Sequence, residues 1–444
     1  MRPVARCKRY RRFFTDMRRL ALCAASFVDA PMTDMTPFSA SQLFCDVTQS
    51  WSKVGGGVGT YLRRKREFIL THTPHRHLLI VPGEEDSVQK EGRAITVTIA
   101  SPRVPTSPQY RLLLRNRAVR AALDHFRPDL VECQDAYNLP WAALAYRKRN
   151  PSVPVTAVYM TDFATAYVHR PIKRLLGSSV AGALRSIAYR YCGFLYRRFD
   201  SVQALSENGG AKKLRQLGVE DVEIVPLGVE LDEFTPDNRD MELRRSLRVA
   251  DHEPLLIYVG RLDRERRAQV VVDAFQRLPE SLGAHLALVG DGAIRSDILE
   301  SAKGRIIAPG YLSNRAELAK WLASSDMYVS AMADETFGVS VIEAQASGLP
   351  VVGVAAGAML DRVDDETGRL GPVDDAAAMA ANILKVWESD RSAMAIAARE
   401  HVEGKRFGWD NSLQRLFGEI YPRAMRSREE LIDDVSEGVI ARTA

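Results

Sequence analysis

The chain has 444 residues, 46% of them hydrophobic and 26% charged, a composition typical of a soluble globular protein with roughly two to three domains. The net charge is +5, but the first 20 residues hold eight Arg or Lys and one acid, so the rest is slightly acidic and nucleic-acid binding is not expected. Five scattered cysteines without a C-x-x-C pair argue against a zinc site and favour free thiols in a reducing compartment.

The basic start is followed by a short apolar run at residues 20–28. This run is too short to cross a bilayer, which takes about 18 apolar residues, and no later stretch reaches that length. We interpret residues 1–35 as a basic, disordered leader that contacts anionic membrane through residues 1–28. A signal peptide with a poor cleavage site is the alternative.

From about residue 40, short β-rich segments alternate with helical stretches. This alternation predicts a mostly parallel sheet with helices on both faces, which is an α/β fold. The predicted strands are residues 77–81, 94–99, 130–133, 155–159, 201–205 and 222–225, and the predicted helices include 61–71, 112–126 and 141–149.

The same alternation restarts after residue 250. The predicted strands are residues 255–259, 285–289, 306–308, 327–330 and 350–354, and the predicted helices include 270–278, 315–324 and 339–347. The segment between the two blocks, 226–253, contains prolines, a glycine and many acids, so we interpret it as a linker. Two doubly wound domains joined in this way bind ligands in the cleft at the carboxyl ends of their strands.

The most informative segment runs from Glu335 to Ala344 and reads ETFGVSVIEA. Gly338 opens a predicted helix, and the free N–H groups of a first helical turn suit a diphosphate. Glu343 lies about a turn later, where a carboxylate can accept hydrogen bonds from two vicinal hydroxyls of a ribose. Glu335, at the mouth of the cleft, can bind the hydroxyls of a sugar. Taken alone, two such glutamates are more often solvated surface residues.

This segment resembles the E-x7-E signature of the retaining glycosyltransferase family 4, which has the GT-B fold. Further segments resemble family motifs in the same order across residues 40–425: GGGVG at 55–59, VPLGV at 225–229, FTP at 234–236, GRLDRER at 260–266, LVGDG at 288–292 and FGW at 407–409. The resemblance implies two facing Rossmann-like domains, with an acceptor domain at 36–228 and a donor domain at 229–406. A C-terminal helix at 407–427 would pack back on the first domain and precede a loosely attached acidic tail at 428–444.

The resemblance also implies the reaction. The chain would transfer a hexosyl group from a nucleoside-diphosphate sugar to a glycolipid or polysaccharide-precursor acceptor, with retention. We expect a cytoplasmic protein, with the inner face of the membrane as one place where it could act. No D-x-D-like loop occurs in the matching region, so neither a metal nor a cofactor is expected. The donor-binding residues implied are Gly56, Gly57, Arg261, Arg266, Glu335, Phe337, Gly338, Val339 and Glu343.

Two arginines are expected to bind the diphosphate. Arg261 matches the family motif, whereas Arg266 stands where the family usually has lysine, a compact charge rather than a planar fork. A surface salt bridge is the simpler interpretation of Arg261. Gly56 and Gly57 would allow backbone N–H groups to approach a phosphate or the acceptor, although they also fit a tight turn.

The expected catalytic residues are Glu335, Arg261, Arg266 and Asp162. Residues 159–163 read YMTDF and resemble a family segment Y-H-T-D-F, whose histidine faces the donor sugar and is here Met160. Asp162 or Asp135 could supply a polar group instead, but Asp162 also fits a helix N-cap. Met160 and Arg266 therefore leave two alternatives open: a non-catalytic partner that binds nucleotide sugar, and an epimerase or hydrolase on the same fold.

Overall fold

Two separate sheets organise the part of the chain that the computed structural model describes, which is residues 40–51, 56–104, 107–301, 305–404 and 407–443. The leader, with its predicted membrane contact, lies outside these residues. None of the described helices is both long and apolar enough to span a bilayer. Cys45, Cys133 and Cys192 are buried free thiols.

The first sheet is built from strands before residue 225. These are β1 (Leu43–Val47), β2 (Arg76–Gly83), β3 (Ser87–Glu91), β4 (Ala94–Ala100), β7 (Leu130–Cys133), β8 (Val155–Tyr159), β9 (Ser201–Ala204) and β10 (Val222–Ile224), while β5 (Arg103–Val104) and β6 (Ser107–Arg111) form a separate hairpin. The order is β10-β9-β8-β7-β1-β2-β4-β3, and all neighbours are parallel except β3 and β4. The central strand β1 is buried throughout, as parallel strands covered on both faces are.

Helices connect these strands. They are α1 (Gly57–His72), α2 (Asn116–Phe126), α3 (Leu139–Arg149), α4 (Arg170–Leu176), α5 (Ser178–Tyr196) and α6 (Lys212–Gln216), with π-helical turns at Ala164–His169 and Glu207–Ala211. The predicted helix 112–126 begins later than expected, at Asn116, and five of the six strands predicted for this domain have the observed bounds or differ by one residue.

The second sheet is fully parallel. Its strands are β11 (Leu255–Val259), β12 (His285–Val289), β13 (Arg305–Gly310), β14 (Met327–Val329), β15 (Val351–Val354) and β16 (Gly368–Gly371), in the order β13-β12-β11-β14-β15-β16. The order reverses between β11 and β14, and such a reversal opens a crevice at the carboxyl ends of the two strands. The α/β prediction is therefore confirmed in both halves.

The helices of the second half are α7 (Met241–Ser246), α8 (Ala268–Phe275), α9 (Arg295–Ser301), α10 (Arg315–Ser324), α11 (Val339–Ala346), α12 (Met359–Arg362), α13 (Ala376–Glu388), α14 (Arg391–Gly404), α15 (Trp409–Arg415) and α16 (Tyr421–Thr443). Short 3-10 turns occur at Pro236–Asn238 and Glu280–Leu282, and a π-helical turn at Leu416–Ile420 joins α15 to α16.

The segment 226–253, expected to be a linker, is partly built into the second sheet's domain. Helix α7 carries Arg244, which is fully buried and donates to Asp326 Oδ2 at 2.8 Å and to the Ser324 carbonyl at 3.0 Å. A buried charge persists only where it is paired, so α7 is fixed to this domain. The segment that precedes α7 connects the two domains and includes Val229, whose N–H donates to the Phe407 carbonyl at 2.7 Å.

The last helix packs on the first sheet. Phe417 and Tyr421 contact the Phe44 ring at centroid distances of 5.0 and 5.3 Å. The Tyr421 hydroxyl donates to Glu132 Oε2 at 2.6 Å, and Lys65 Nζ lies 2.8 Å from Glu132 Oε1. This ionic cluster is buried, and its fourth member is Asp46, which also accepts from Lys65 at 2.8 Å.

The structure differs from the expected loose tail at its start. Helix α16 runs unbroken through residue 428. The Arg428 guanidinium donates to the Pro151 carbonyl at 2.8 and 3.0 Å and lies 3.4 Å from Asp200 Oδ1. The C-terminal helix therefore still contacts the first domain at residue 428, where the sequence predicted the loose tail to begin.

Candidate functional site

The donor loop, residues 330–338, joins β14 to α11 at the crevice of the second sheet. Gly338 is the N-cap of α11 and has a φ of 85°, a left-handed conformation that favours glycine. A Cβ there would lie 3.2 Å from Val341 Cγ2. Among the described residues, no acceptor meets the N–H groups of Val339 and Ser340. The helix therefore begins with donors that can serve an anion, as the sequence predicts.

Glu335 and Arg266 are in direct contact across this crevice. Arg266 Nη1 donates to Glu335 Oε2 at 3.1 Å. The Arg266 backbone is fixed as well, since its N–H donates to Asp263 Oδ1 at 2.8 Å. Burial would lower the pKa of Arg266, but the Glu335 carboxylate outweighs it and raises that pKa. The structure thus brings together the predicted sugar-binding glutamate and one of the two predicted diphosphate-binding arginines.

Arg261 lies at the edge of the crevice. Its side chain is 59% exposed, and its Nη2 lies 3.0 Å from Asp263 Oδ2 and 3.6 Å from Glu265 Oε2. Its carbonyl accepts a hydrogen bond of 2.9 Å from the Tyr258 hydroxyl. The loop is therefore anchored by Tyr258 while the guanidinium stays open to solvent.

The G-x-G turn at 290–292 supports that loop. A Cβ on Gly290 would lie 1.9 Å from the Gly260 carbonyl oxygen, and φ at Gly290 is 140°. Two hydrogen bonds join the segments, from Gly260 N to Val289 O at 3.0 Å and from Leu262 N to Asp291 O at 3.0 Å. The glycine therefore permits a close backbone approach that sets the position of Arg261.

Glu343 is buried one turn into α11. Its Oε1 accepts from Arg315 Nη2 at 2.8 Å. Burial raises the pKa of Glu343 to about 7; the Arg315 guanidinium lowers it, and Glu230 and Glu233 raise it further. The glutamate predicted to bind the ribose therefore titrates near neutral pH and is already paired with an arginine.

Phe337 supports the donor loop from inside. Its ring is buried, forms a T-shaped contact with Phe407 at 5.9 Å, and lies 4.5 Å from the Arg362 guanidinium carbon. Arg362 Nε also donates to the Phe337 carbonyl at 3.0 Å. Burial lowers the pKa of Arg362 to about 10. The ring belongs to the core beneath the loop.

The first domain faces the donor loop through the end of β8. Thr336 Oγ1 donates to the Met160 carbonyl at 2.9 Å, and Ser206 Oγ donates to the Thr336 carbonyl at 2.9 Å. Asn208 adds two bonds of 2.8 and 2.7 Å to the Asp361 carboxylate. The Met160 side chain itself is buried. The residue in the histidine's place therefore contributes its backbone to the contact between the two domains.

Asp162 is held by three donors. Its Oδ1 accepts from Thr165 N at 3.1 Å, as the N-cap alternative predicts, and its Oδ2 accepts from the Tyr189 hydroxyl at 2.7 Å and from Lys213. Burial would raise the pKa of Asp162, but Lys213 lowers it below its usual value. A catalytic role for this carboxylate stays a prediction.

Gly56 and Gly57 lie at the start of α1. Gly56 has a φ of 99°, and a Cβ on Gly57 would meet nothing within 4 Å. Gly55, the first part of that glycine loop, is outside the described residues. An open backbone at the start of a long helix is compatible with the predicted approach of a phosphate or acceptor.

A small cleft opens in the first domain, lined by Ser50, Asp135, Tyr137, Thr161, Phe163 and Tyr167, among others. Asp135 Oδ2 accepts from Gln49 N at 2.7 Å, and its Oδ1 has no partner among the described residues. Burial raises the pKa of Asp135 to about 6. Asp162 is thus paired with a cation, whereas Asp135 is a buried carboxylate without a cationic partner among the described residues.

Five residues at this site were not predicted. Arg315 pairs with Glu343, Arg362 supports Phe337, and Ser206 and Asn208 contact the second domain. A fifth, Arg170, lies 2.8 Å from Asp334 Oδ2 and 3.2 Å from Glu265 Oε2. Of these, only Arg362 could have been singled out from the sequence, because it is a basic residue within a mainly apolar stretch that ends at residue 363.

Comparison with known proteins agrees with this architecture. The model of Glycosyltransferase Family 4 matches residues 55–233, and the model of Glycosyl transferases group 1 matches residues 253–389. A GDP-mannose-dependent alpha-mannosyltransferase of Mycobacterium tuberculosis is 30% identical over 374 residues, which are 81% of this chain and 90% of the relative. The sulfoquinovosyl transferase SQD2 of Arabidopsis thaliana is 28% identical over 377 residues, covering 82% of this chain and 69% of the relative.

Solved structures show the same fold. Sucrose-phosphate synthase from Thermosynechococcus elongatus superposes with a TM-score of 0.69 at 20% identity, covering 87% of this chain and all of that one. The galactosyltransferase WaaB of the lipopolysaccharide outer core gives a TM-score of 0.60 at 16% identity over 87% of this chain. Two facing Rossmann-like domains, both family models and the relatives lead to one conclusion: the chain belongs to glycosyltransferase family 4 and is a glycosyltransferase with the GT-B fold.

Proposed function

We propose that the protein transfers a hexosyl group from a nucleoside-diphosphate sugar to a glycolipid or polysaccharide-precursor hydroxyl, with retention at the anomeric carbon. The observation that carries the proposal is the contact between Arg266 and Glu335 at the start of α11. It combines a cation, a carboxylate and unpaired helix N–H groups in one crevice. These are the groups that a diphosphate and a sugar need side by side.

In this reaction the bond between the anomeric carbon and the diphosphate oxygen breaks. The acceptor oxygen bonds to the same face of that carbon, and its proton passes to the departing diphosphate. Negative charge grows on the diphosphate as the bond breaks. Arg261, Arg266 and the N–H groups at Val339 and Ser340 can stabilise that charge, which is the largest catalytic contribution available from these side chains.

Glu335 and Glu343 have separate roles in the proposal. Glu335 binds hydroxyls of the transferred sugar, because it lies at the mouth of the crevice beside Arg266. Glu343 binds the ribose, and it must exchange part of its contact with Arg315 for the ribose hydroxyls. Asp135 is one of the polar residues that line the small cleft of the first domain, and we assign that side of the crevice to the acceptor.

Relatives support the donor and acceptor classes. Several carry GDP-mannose in their names, and one of these is a phosphatidylinositol dimannoside mannosyltransferase from Mycobacterium tuberculosis, 28% identical over 307 residues. On that basis we propose that this chain uses a nucleotide sugar as donor and a lipid-linked or saccharide acceptor. Metal-free catalysis, a cytoplasmic location and membrane contact through residues 1–28 remain predictions.

Single-turnover analysis tests the proposal. Enzyme in excess would be mixed with GDP-mannose, UDP-glucose or ADP-glucose, with and without a lipid-linked or saccharide acceptor, and the product anomer read by NMR. We expect one donor to be consumed in the presence of an acceptor, with an α product from an α donor. A β product would exclude retention. Nucleotide binding without donor loss would favour the non-catalytic partner, and donor loss without acceptor would favour a hydrolase or epimerase.

A further inference from the structure

Helices α4 and α5 of the first domain expose several large apolar side chains. Leu175 is 80% exposed and Leu176 is 63% exposed at the tip where the two helices meet. Further along α5, Ile187 is 58% exposed and Phe194 is 46% exposed. Single exposed apolar residues are common, but a group on one helical pair marks a surface that contacts something.

The exposed residues share one face of α5. Val180, Ile187 and Phe194 recur every seven residues, which places them on one side of a helix. Ala181 and Ala188 are offset from this row by one position and are buried against the domain. The helix is therefore anchored through small residues, and its outer face carries the large apolar ones.

The same helical pair is strongly basic. Between residues 163 and 199 there are seven Arg or Lys and no Asp or Glu. Arg170 is paired with acids of the second domain. The described residues place no carboxylate within ion-pair distance of Lys173, Arg174, Arg185 or Arg190, all of which are exposed. Their charge is therefore available to a partner that is anionic.

This surface begins next to the small cleft of the first domain. The π-helical turn Ala164–His169 leads from the cleft residue Phe163 to α4, and its Tyr167 packs 5.0 Å from the ring of Tyr137. The turn therefore places the beginning of α4 beside this cleft.

We propose that the face formed by Lys173, Arg174, Leu175, Leu176, Val180, Ile187 and Phe194 docks on an anionic lipid bilayer. The leucines at the helical tip enter the boundary between headgroups and acyl chains, and the basic side chains contact the headgroups. This is the arrangement by which interfacial helices bind membranes, with apolar burial and electrostatic attraction combined. The docking surface is separate from the donor site and does not depend on transfer chemistry.

Co-sedimentation of the full chain with vesicles tests the proposal. The vesicles are phosphatidylcholine alone and an equimolar mixture with phosphatidylglycerol, and leader residues 1–35 stay in every variant. Leu175→Ser/Leu176→Ser and Lys173→Glu/Arg174→Glu should each lower partitioning to the anionic vesicles at least about tenfold. The matched controls, Leu299→Ser/Leu431→Ser and Arg277→Glu/Lys385→Glu, change exposed residues elsewhere and should bind as the unaltered chain does. Equal binding by the test pairs and the control pairs overturns the proposal.

Hydrogen–deuterium exchange separates this surface from the leader. Amides in residues 170–187 should exchange more slowly when anionic vesicles are added, with no change on phosphatidylcholine vesicles. Protection confined to the leader would overturn the proposal. Protection that rises with protein concentration in the absence of vesicles would indicate a second copy of the chain as the occupant, and would overturn it as well.

Discussion

Replacing each site arginine by lysine should have unequal effects. Arg266 contacts Glu335 through one nitrogen at 3.1 Å, a contact that an ammonium can also make. Arg266→Lys should therefore change kcat/KM by less than about threefold. Arg261 differs because its Nη2 already lies 3.0 Å from Asp263 and 3.6 Å from Glu265. A guanidinium held by one nitrogen can offer its other N–H groups to a phosphate, whereas the single nitrogen of lysine cannot serve both.

The expected size of the loss follows from that geometry. Arg261→Lys gives up the charge-assisted bonds made by the remaining fork, so kcat/KM should fall more than about tenfold, or about 1.4 kcal/mol of transition-state stabilisation. Methionine at either position removes the charge altogether. Because a hydrogen bond to a charged group contributes about 1.5–3 kcal/mol, Arg266→Met should lose roughly 10- to 150-fold.

The assay is steady-state turnover of the donor identified by single turnover, with thermal unfolding as a check that each variant folds. Arg264→Lys is the matched control, since Arg264 is an exposed arginine in the same loop, and it should behave as the unaltered enzyme does. EDTA should leave the rate unchanged. The reasoning is wrong if Arg261→Lys is fully active while Arg266→Lys is inactive, or if EDTA abolishes turnover.

Three further outcomes are expected. Glu343→Ala should raise the donor KM by about tenfold or more, because a lost ribose contact is worth about 1.5–3 kcal/mol. Glu335→Ala should lower kcat more than donor affinity. Unaltered kinetics in both variants would show that neither glutamate belongs to the site. Burial raises the pKa of Glu343 to about 7, so protonation of Glu343 should weaken donor binding and lower kcat/KM below that pH. If Glu343→Gln shows the same fall in kcat/KM at acid pH, the assignment is wrong. Deleting residues 1–30 should preserve fold and solution activity but reduce co-sedimentation with anionic vesicles at low salt, and equal binding by both forms would refute a role for the leader.

Much of the fold was predictable because its signals are local. The strands Leu130–Cys133, Val155–Tyr159, Leu255–Val259 and His285–Val289 were predicted at their observed bounds. Each is a short run of apolar or β-branched residues with a polar or helix-breaking residue close by, the pattern of a buried parallel strand. Helix Arg315–Ser324 was predicted at its observed bounds as well, and Asn314 caps its start in the structure.

Other elements lacked such a signal. The central strand β1 contains Asp46, and a charge argues against a buried strand until Lys65 is known to lie 2.8 Å away. Strand β3 is exposed at all five positions, so its sequence shows no burial pattern. Asp46 needs a partner from another element of the fold, and β3 is held by its pairing with β4 and not by burial; neither feature shows in the hydrophobic pattern.

The site shows the same division. The donor loop and both arginines could be located from the order of the motifs along the chain. The anion-binding start of the helix could also be predicted, because its backbone geometry depends only on neighbouring residues. The contact of Glu335 with Arg266, rather than with Arg261, depends on the packing of two loops that are 69 residues apart. Likewise, the Arg315 partner of Glu343 comes from a different helix, and only the folded chain identifies it.

The bond from Tyr421 to Glu132 spans 289 residues, and it has a consequence for biosynthesis. Glu132 lies in the core of the domain that the ribosome completes first, yet its hydroxyl donor is among the last residues to emerge. Until then, Glu132 has Lys65 on one oxygen but lacks the Tyr421 donor on the other, and the apolar surface around Phe44 lacks the rings of Phe417 and Tyr421. Such long-range closure slows folding and prolongs exposure of apolar surface. The nascent first domain should therefore be a client for chaperones until synthesis of the chain is complete.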